Sequence, residues 1–334
     1  MIKKYQIGTR GSKLALAQTA IVTKSLSKFY KNIQFEICTI KTKGDLDKKP
    51  LFMMDRKGIF EREINEAVIH NRIDFAIHSI KDVPSELPPE LVIAAILKRE
   101  KPNDVLISKD NLTLNLLPSG SVIGTSSLRR AVQLKILRND INVIPIRGNV
   151  ETRINKVKNG EFDAIVLAEA GLKRLKISDM ISEKFRIHEF VPAPGQGAIA
   201  VVCKRKNLGL RKILSKIDDK SSRISITAER SLLDKIESGC RFPIGAIAYI
   251  TKNKSTKTEK DLLSVSDYEK DRLILYAKLF SSDGTKSIEL KLDGDISKPK
   301  QIGKKMANLL IKHGALELSN GWEDALSEWN GKRK

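Results

Sequence analysis

Cysteine is scarce: three in 334 residues, Cys38, Cys203 and Cys240, an odd number set far apart. That spacing holds no CxxC metal pair and does not suit a disulfide framework, so a reducing compartment fits best. Histidine is equally sparse, and His70, His78, His188 and His313 make no ligand spacing, so no metal is expected. Aromatic residues are only 5% of the chain and do not interleave with basic ones as in a base-stacking surface, which argues against nucleic acid. No apolar run approaches the ~20 residues of a membrane span. In the N-terminal MIKKYQIGTRGSKLALAQ, Lys13 and Gln18 interrupt the one candidate signal-peptide core. A protein working in the cytoplasm is expected, or in an organelle stroma or matrix if a targeting segment has been removed.

Acidic residues are the other shortfall, 40 Asp plus Glu against 61 Lys plus Arg, for a net charge of +21. Many lysines lie in polar stretches such as KNKSTKTEK and the terminal GKRK and read as solvated faces. The arginines instead concentrate in short Gly/Ser/Thr motifs, the pattern of a basic cleft for a polyanionic ligand. What remains is ordinary: 41% hydrophobic and 30% charged residues allow a substantial core, and this length suits two or three domains.

The first two-thirds alternates strand-like and helical runs. Strands are expected at 5–9, 35–42, 74–78, 121–124, 142–146 and 163–168, with helices at 12–30, 59–69, 128–138 and 150–158. Such alternation argues for parallel α/β layers. Ile7–Gln18 (IGTRGSKLALAQ) and Ile123–Gln133 (IGTSSLRRAVQ) share one plan of strand, Gly-Thr, small polar residues, basic residue and apolar helix, an internal echo of two related lobes. From about Arg223 the texture changes to a helix ending near Glu237, strands at 245–250, 272–281 and 287–292, and a helix at 299–313. That is a smaller α+β domain, with a polar insertion at 252–270 of loop composition.

Four segments join strand ends to helix starts and carry the candidate chemistry. His78-Ser79-Ile80-Lys81-Asp82-Val83-Pro84 follows a buried strand, where open α/β sheets bind ligands. Lys81 can pair with a carboxylate, and Asp82 can stabilise a cation or merely cap the turn; His78 reads as strand packing. Gly124-Thr125-Ser126-Ser127-Leu128-Arg129-Arg130 combines free helix N–H groups, hydroxyls and two guanidiniums in an anion site. Arg147-Gly148-Asn149, leading to Arg153, and Arg10-Gly11-Ser12 repeat the logic, and Arg174 follows a further strand. Pro192–Ala198 (PAPGQGA) is a rigid crossover from which Gln196 can reach a ligand. Cys240 lies on a Gly- and Arg-flanked loop, as a reactive thiol or a plain buried one; Cys38 and Cys203 read as core.

Together TRGSKLALAQ, KGIFEREI, DFAIHSIKDVP, GTSSLRRAVQL, IRGNVETRI, DAIVLAEAGLKRL, PAPGQGAI, TAERSLL and SGCRFPIGA resemble, in order and over nearly the whole chain, the hydroxymethylbilane synthase (porphobilinogen deaminase) family. The resemblance implies two α/β lobes like those of periplasmic binding proteins, residues 1–97 with 198–215 and residues 98–197, plus an α+β domain at 216–334. It implies a transferase that condenses four porphobilinogen molecules, with loss of ammonia, on a dipyrromethane primer and releases the linear tetrapyrrole by hydrolysis. By match to the family's motifs, Cys240 is the thioether attachment point and Asp82 the catalytic carboxylate. Ser79, Lys81, Thr125, Ser126, Ser127, Arg129, Arg130, Arg147 and Gly148 fall in the cofactor-binding segments. Arg10, Ser12, Lys57, Arg153, Arg174 and Gln196 fall in those that take substrate, Lys57 within an active-site loop. A monomer is expected. Ser238 and Arg241 depart from the glycine and the neutral residue common in the family, and 252–270 is longer than in compact members. Of two rivals, a non-enzymatic anion binder on the same lobes explains the arginine loops but not Cys240, the third domain or Asp82, and a nucleic-acid binder, prompted by the charge, is opposed by the scarcity of aromatics.

Overall fold

The computed structural model describes residues 3–46, 61–237, 243–251 and 271–331. The chain opens with β1 (Lys3–Thr9), α1 (Lys13–Ser27), β2 (Ile33–Thr39), the single-turn α2 (Lys43–Leu46), α3 (Arg62–Ile69), β3 (Phe75–Ser79) and β4 (Leu91–Ile96). It crosses into a second lobe of β5 (Asp104–Ser108), β6 (Val122–Thr125), α4 (Leu128–Leu137), β7 (Asn142–Pro145), α5 (Val150–Lys158), β8 (Ala164–Ala168), α6 (Glu169–Arg174) and β9 (Glu183–Lys184). It then returns to the first lobe with β10 (Ile199–Lys204) and α7 (Leu208–Leu214). The third part comprises α8 (Lys220–Glu237), β11 (Ile244–Thr251), β12 (Arg272–Phe280), β13 (Ser287–Asp295), α9 (Pro299–Lys312), α10 (Ala315–Ser319) and α11 (Trp322–Gly331).

The two large sheets run β2-β1-β3-β10-β4 and β7-β6-β8-β5-β9. Each has three parallel strands, β1 flanked by β2 and β3 in one and β6 flanked by β7 and β8 in the other. Each also has a fourth strand that is antiparallel to both its neighbours, β10 and β5. The sheets are therefore mixed, not parallel as the alternation implied. The physical reason is delivery: the fourth strand of each sheet arrives from the other lobe and not through a helical crossover. The sequence echo falls on β1–α1 and β6–α4, the same place in the two sheets. β3, β8 and β10 are nearly continuous buried apolar runs because both faces of their sheets are covered.

The third part is a three-stranded antiparallel sheet, β11-β12-β13, packed on α8 and α9 around Leu232, Leu273, Leu275, Met306 and Leu310. β13 alternates exposed and half-buried residues, the one-faced pattern of a sheet with helices on one side. This part is joined to both lobes. Ile226 of α8 packs with Ile80, Val83, Ile96 and Ala200 of the first lobe, and Trp329 of α11 enters the core of the second with Ile123, Leu134 and Phe190. Among the described residues no helix is long and apolar enough to cross a membrane.

Candidate active site

Phe75, Ala76, Ile77 and His78 of β3 are all buried, so the chain leaves the sheet at Ser79 and turns through a single 3-10 turn, Ile80–Asp82. Ile80 is the buried apolar pin of that turn, and Lys81 and Asp82 remain exposed beyond it. The turn is held upstream by the Ile80 N–H donating to the Ala198 carbonyl. It is pressed from the side by Gly195, whose φ of +79° favours glycine and at which a Cβ would come within 2.6 Å of Ile80 Cγ2. Ser79 Oγ accepts from Gln18 Nε2. His78 is buried against Asn65 Oδ1 at 3.2 Å, and burial, with repulsion from Arg10, pushes its imidazole down to about 4; it is a neutral packing residue. Ser12, beside Arg10, caps α1 by accepting from the Ala15 N–H at 3.3 Å.

Opposite stands the second lobe's strand-to-helix junction. Thr125 is buried and its hydroxyl accepts from the Ser127 N–H, while Ser126 donates to the Ile146 carbonyl. No side chain caps α4, so its first-turn N–H groups are not claimed by a capping residue. Arg129 and Arg130, 5% and 6% exposed, both turn to Asp104, which is fully buried at the start of β5. Arg129 Nη2 reaches Asp104 Oδ2 at 2.8 Å, and Arg130 donates to Oδ1 from Nε at 3.0 Å and Nη2 at 2.7 Å. Burial alone would raise the Asp104 carboxyl; Arg129, Arg130 and a hydrogen bond from Gln196 overcome it and hold it below the usual carboxylate range. Two guanidiniums share this one carboxylate, so the cluster keeps an excess positive charge. Gln196, 1% exposed, directs its amide to Asp104 Oδ1 at 2.9 Å and to the Pro102 carbonyl. In this structure it supports the arginine pair from the hinge.

Gly148 sits at φ +111° after β7, and a Cβ there would meet Thr152 Cγ2 at 2.6 Å. The glycine lets the loop close onto α5, whose N-cap Asn149 accepts from the Thr152 N–H. Arg153 Nε donates to the Gly148 carbonyl, which fixes its guanidinium beside Arg147. Loss of hydration, then repulsion from Arg130 and Arg147, pushes Arg153 down to about 10. Arg174, the last residue of α6, donates to the Gly197 carbonyl; burial pushes it to about 10, and its Nε is buried without a hydrogen-bond partner.

The carboxyl ends of β1, β3, β6 and β7 thus face one cleft. Their charges are felt across it. Although the Lys81 side chain reaches solvent, the protein around its ammonium displaces enough hydration to push it down to about 8; Asp82 and Asp104 oppose this, and Arg130 and Arg129 add to it. Lys13 of α1 pairs with Glu151 of α5 from lobe to lobe, and Leu14 meets Gly171 of α6. Of the expected residues, Arg10, Ser12, Ser79, Lys81, Asp82, Thr125, Ser126, Ser127, Arg129, Arg130, Arg147, Gly148 and Arg153 stand at these strand ends, in the loops after them or in the first turns of the helices that follow, and Arg174 and Gln196 stand at the hinge. Cys240, Lys57 and the insertion 252–270 lie outside the described residues.

Three charged residues that were not among the expected site residues organise the floor: Asp104, Arg99 and Glu229, the last within the quoted segment TAERSLL. Glu229 of α8, fully buried, pairs with Arg99 and accepts from the Gly195 N–H at 2.6 Å and the Ala248 N–H at 2.7 Å. One carboxylate thereby ties both interlobe crossings and β11 together. The sequence signals were REKPND, which runs into β5, and the AER of TAERSLL inside α8, neither of which by itself marks a buried charge.

A two-lobed α/β scaffold whose strand ends bring cationic side chains from both lobes together has the geometry of a binding site for an anionic ligand. Residues 5–212 match the family model described as porphobilinogen deaminase, dipyromethane cofactor binding domain, and residues 223–312 match porphobilinogen deaminase, C-terminal domain. The chain is 46% identical over 327 residues to a "Probable porphobilinogen deaminase" of Nitrosopumilus maritimus, covering 98% of this chain and 99% of that one. It is 41% identical over 317 residues to a porphobilinogen deaminase of Roseiflexus sp., covering 94% and 98%. Among solved structures, a TRAP periplasmic solute binding protein from Desulfovibrio salexigens overlays with a TM-score of 0.40 and 9% identity, over 65% of this chain and 73% of that one. The chain belongs to the porphobilinogen deaminase family. It is a transferase of tetrapyrrole biosynthesis, a hydroxymethylbilane synthase with a dipyrromethane cofactor.

Proposed function

We propose that this cleft holds a growing pyrrole chain by its carboxylates, with Asp82 the group that acts on the reacting centre and Cys240 the tether. The observation that carries the reading is the gathering of cations from both lobes beside the exposed Asp82 carboxylate. Arg129 and Arg130 share Asp104, while Lys81, Arg147 and Arg153 add charge that loss of hydration and mutual repulsion make costly. Carboxylates relieve that cost, so the donor set fits a dipyrromethane with its acidic side chains. When bound, that group supplies a nucleophilic pyrrole carbon.

The chain's own residues do the rest. Lys81, Arg10, Arg147, Arg153 and the first turn of α4 bind and orient acetate and propionate groups. Ser12, Ser79, Ser126, Ser127 and Thr125 shape the strand-end loops that present them, and Gln196 with Asp104 sets the arginine pair. Arg174 lies where the hinge meets the cleft, and Lys57 is assigned to the substrate side. Porphobilinogen loses ammonia during condensation and positive charge develops on its pyrrole. A fixed carboxylate at Asp82 stabilises that charge more in the transition state than in the ground state. Division into residues 1–97 with 198–215, 98–197 and 216–334, action as a monomer in the cytoplasm, and no role for nucleic acid complete the proposal.

Asp82→Asn tests it, because shape is retained and charge removed. The folded variant, loaded with preformed tetrapyrrole, should keep its covalent adduct and bind porphobilinogen. In single-turnover measurements with an intact-mass readout, addition of each pyrrole should slow by at least ~10²-fold. Near-normal elongation would take Asp82 out of the mechanism.

A further inference from the structure

We infer that Arg230 is a positioning residue for the Asp82 carboxylate, an inference that rests on the role of Asp82 proposed above. Arg230 follows Glu229 on α8 and places its guanidinium over three consecutive backbone carbonyls just after Asp82. Nη1 donates to Val83 O at 3.0 Å, and Nη2 donates to Pro84 O and to Ser85 O at 2.8 Å. A planar fork with five donors suits such a cluster, and an ammonium does not reproduce it.

The geometry around Asp82 explains why this contact matters. Asp82 ends a turn whose described internal bond is Val83 N–H to Ile80 O, too short a structure to fix a side chain by itself. Upstream the turn is anchored by Ala198 and packed by Gly195; downstream it is anchored by Arg230. Both sides lead to α8. Glu229 holds the Gly195 N–H, and Arg230 holds residues 83–85. Arg223, two turns earlier on the same face, takes the β4 carbonyls of Ile93 and Ala94, and Ile226 fills the space between. The helix that leads to Cys240 therefore sets the place of the catalytic loop, in register with the third domain.

The test uses the full-length protein as Arg230→Met, Arg230→Lys, Asp82→Asn and the Arg230→Met/Asp82→Asn double variant, each checked by intact mass for its covalent adduct. Arg230→Met should keep the adduct and a KM near that of the parent, and lose kcat by about 10-fold or more, since a displacement near 1 Å can cost about 10²-fold. Arg230→Lys should recover part of that loss. Amide hydrogen exchange should accelerate at Val83, Ser85 and Glu86 and not across β3. The double variant should be no slower than Asp82→Asn, because a residue acting through Asp82 has nothing left to position.

If the two losses multiply, or if KM rises with kcat unchanged, the inference is overturned while the Asp82 role stands. If Asp82→Asn is itself fully active, the Asp82 reading fails first and takes this one with it. Should Arg230→Met not accumulate folded, Arg230→Lys and the Arg230→Lys/Asp82→Asn double variant separate the same outcomes: losses that do not multiply support the inference, and losses that multiply overturn it.

Discussion

At Lys81, lost hydration brings the ammonium from an ordinary 10.5 to about 8, so its charge is in play at mildly alkaline pH. Below about 8 the ammonium is charged in folded and unfolded chains alike, and holding that charge beside the cleft arginines costs stability only to the extent that solvent reaching the side chain leaves it unscreened. Between about 8 and 10.5 the unfolded chain binds the extra proton, so this group's contribution to stability rises with pH across that window. Carboxylate binding runs the opposite way, because the charged form is the binder. The pH profile of kcat/KM, which reports the free enzyme, should fall as pH rises through about 8. Lys81→Arg, permanently protonated, should remove that limb if it folds, and an unchanged limb would assign it to another group. Lys81, Arg10, Arg129, Arg130, Arg147 and Arg153 were legible in the sequence because each lies within three residues of a Gly, Ser or Thr just past a strand, where the chain leaves the sheet toward the ligand side. Asp104 and Glu229 were not. An acidic residue in a polar segment reads as solvated, and only the meeting of the two crossings buries it.

Among the elements, α8 does most to unite the molecule. Its N-terminal half lies against β4, and its middle carries Glu229 into the hinge. Glu229→Ala should destabilise the protein by about 3–5 kcal/mol, because Arg99 and two backbone N–H groups lose a buried partner. Urea unfolding checks this, and a change below about 1 kcal/mol, within the range of an exposed pair, would show that Glu229 is not the structural joint. The periodic elements were readable to within a few residues: α5 runs Val150–Lys158 as its spacing predicts, and β12 starts at Arg272. Between Val83 and Ser121 no element was assigned, although β4 and β5 lie there. Both are short apolar runs without a period, set among prolines, and only their antiparallel neighbours make them strands. The same partners turned an expected parallel sheet into a mixed one. α11 was missed because its burial depends on Trp329 reaching the second lobe.

For the whole molecule, two lobes and a third domain meet at one hinge, and the surplus charge of +21 includes a cluster turned inward to the cleft. The insertion 252–270 joins β11 to β12, whose ends pair directly as Thr251 with Arg272. A short turn can close that hairpin, so replacing 252–270 with Asn-Gly should leave turnover largely intact; a large loss in a folded variant would place the segment at the cleft. The central claim is a primer tethered through Cys240, and intact mass of the full-length protein tests it most directly. The mass should exceed that of the chain by a two-pyrrole adduct, peptide mapping should locate it on Cys240, and Cys240→Ser should abolish both adduct and activity while Cys38→Ser and Cys203→Ser retain the adduct. An unmodified mass in active protein, or a dipyrrole on Cys38 or Cys203, would contradict the account.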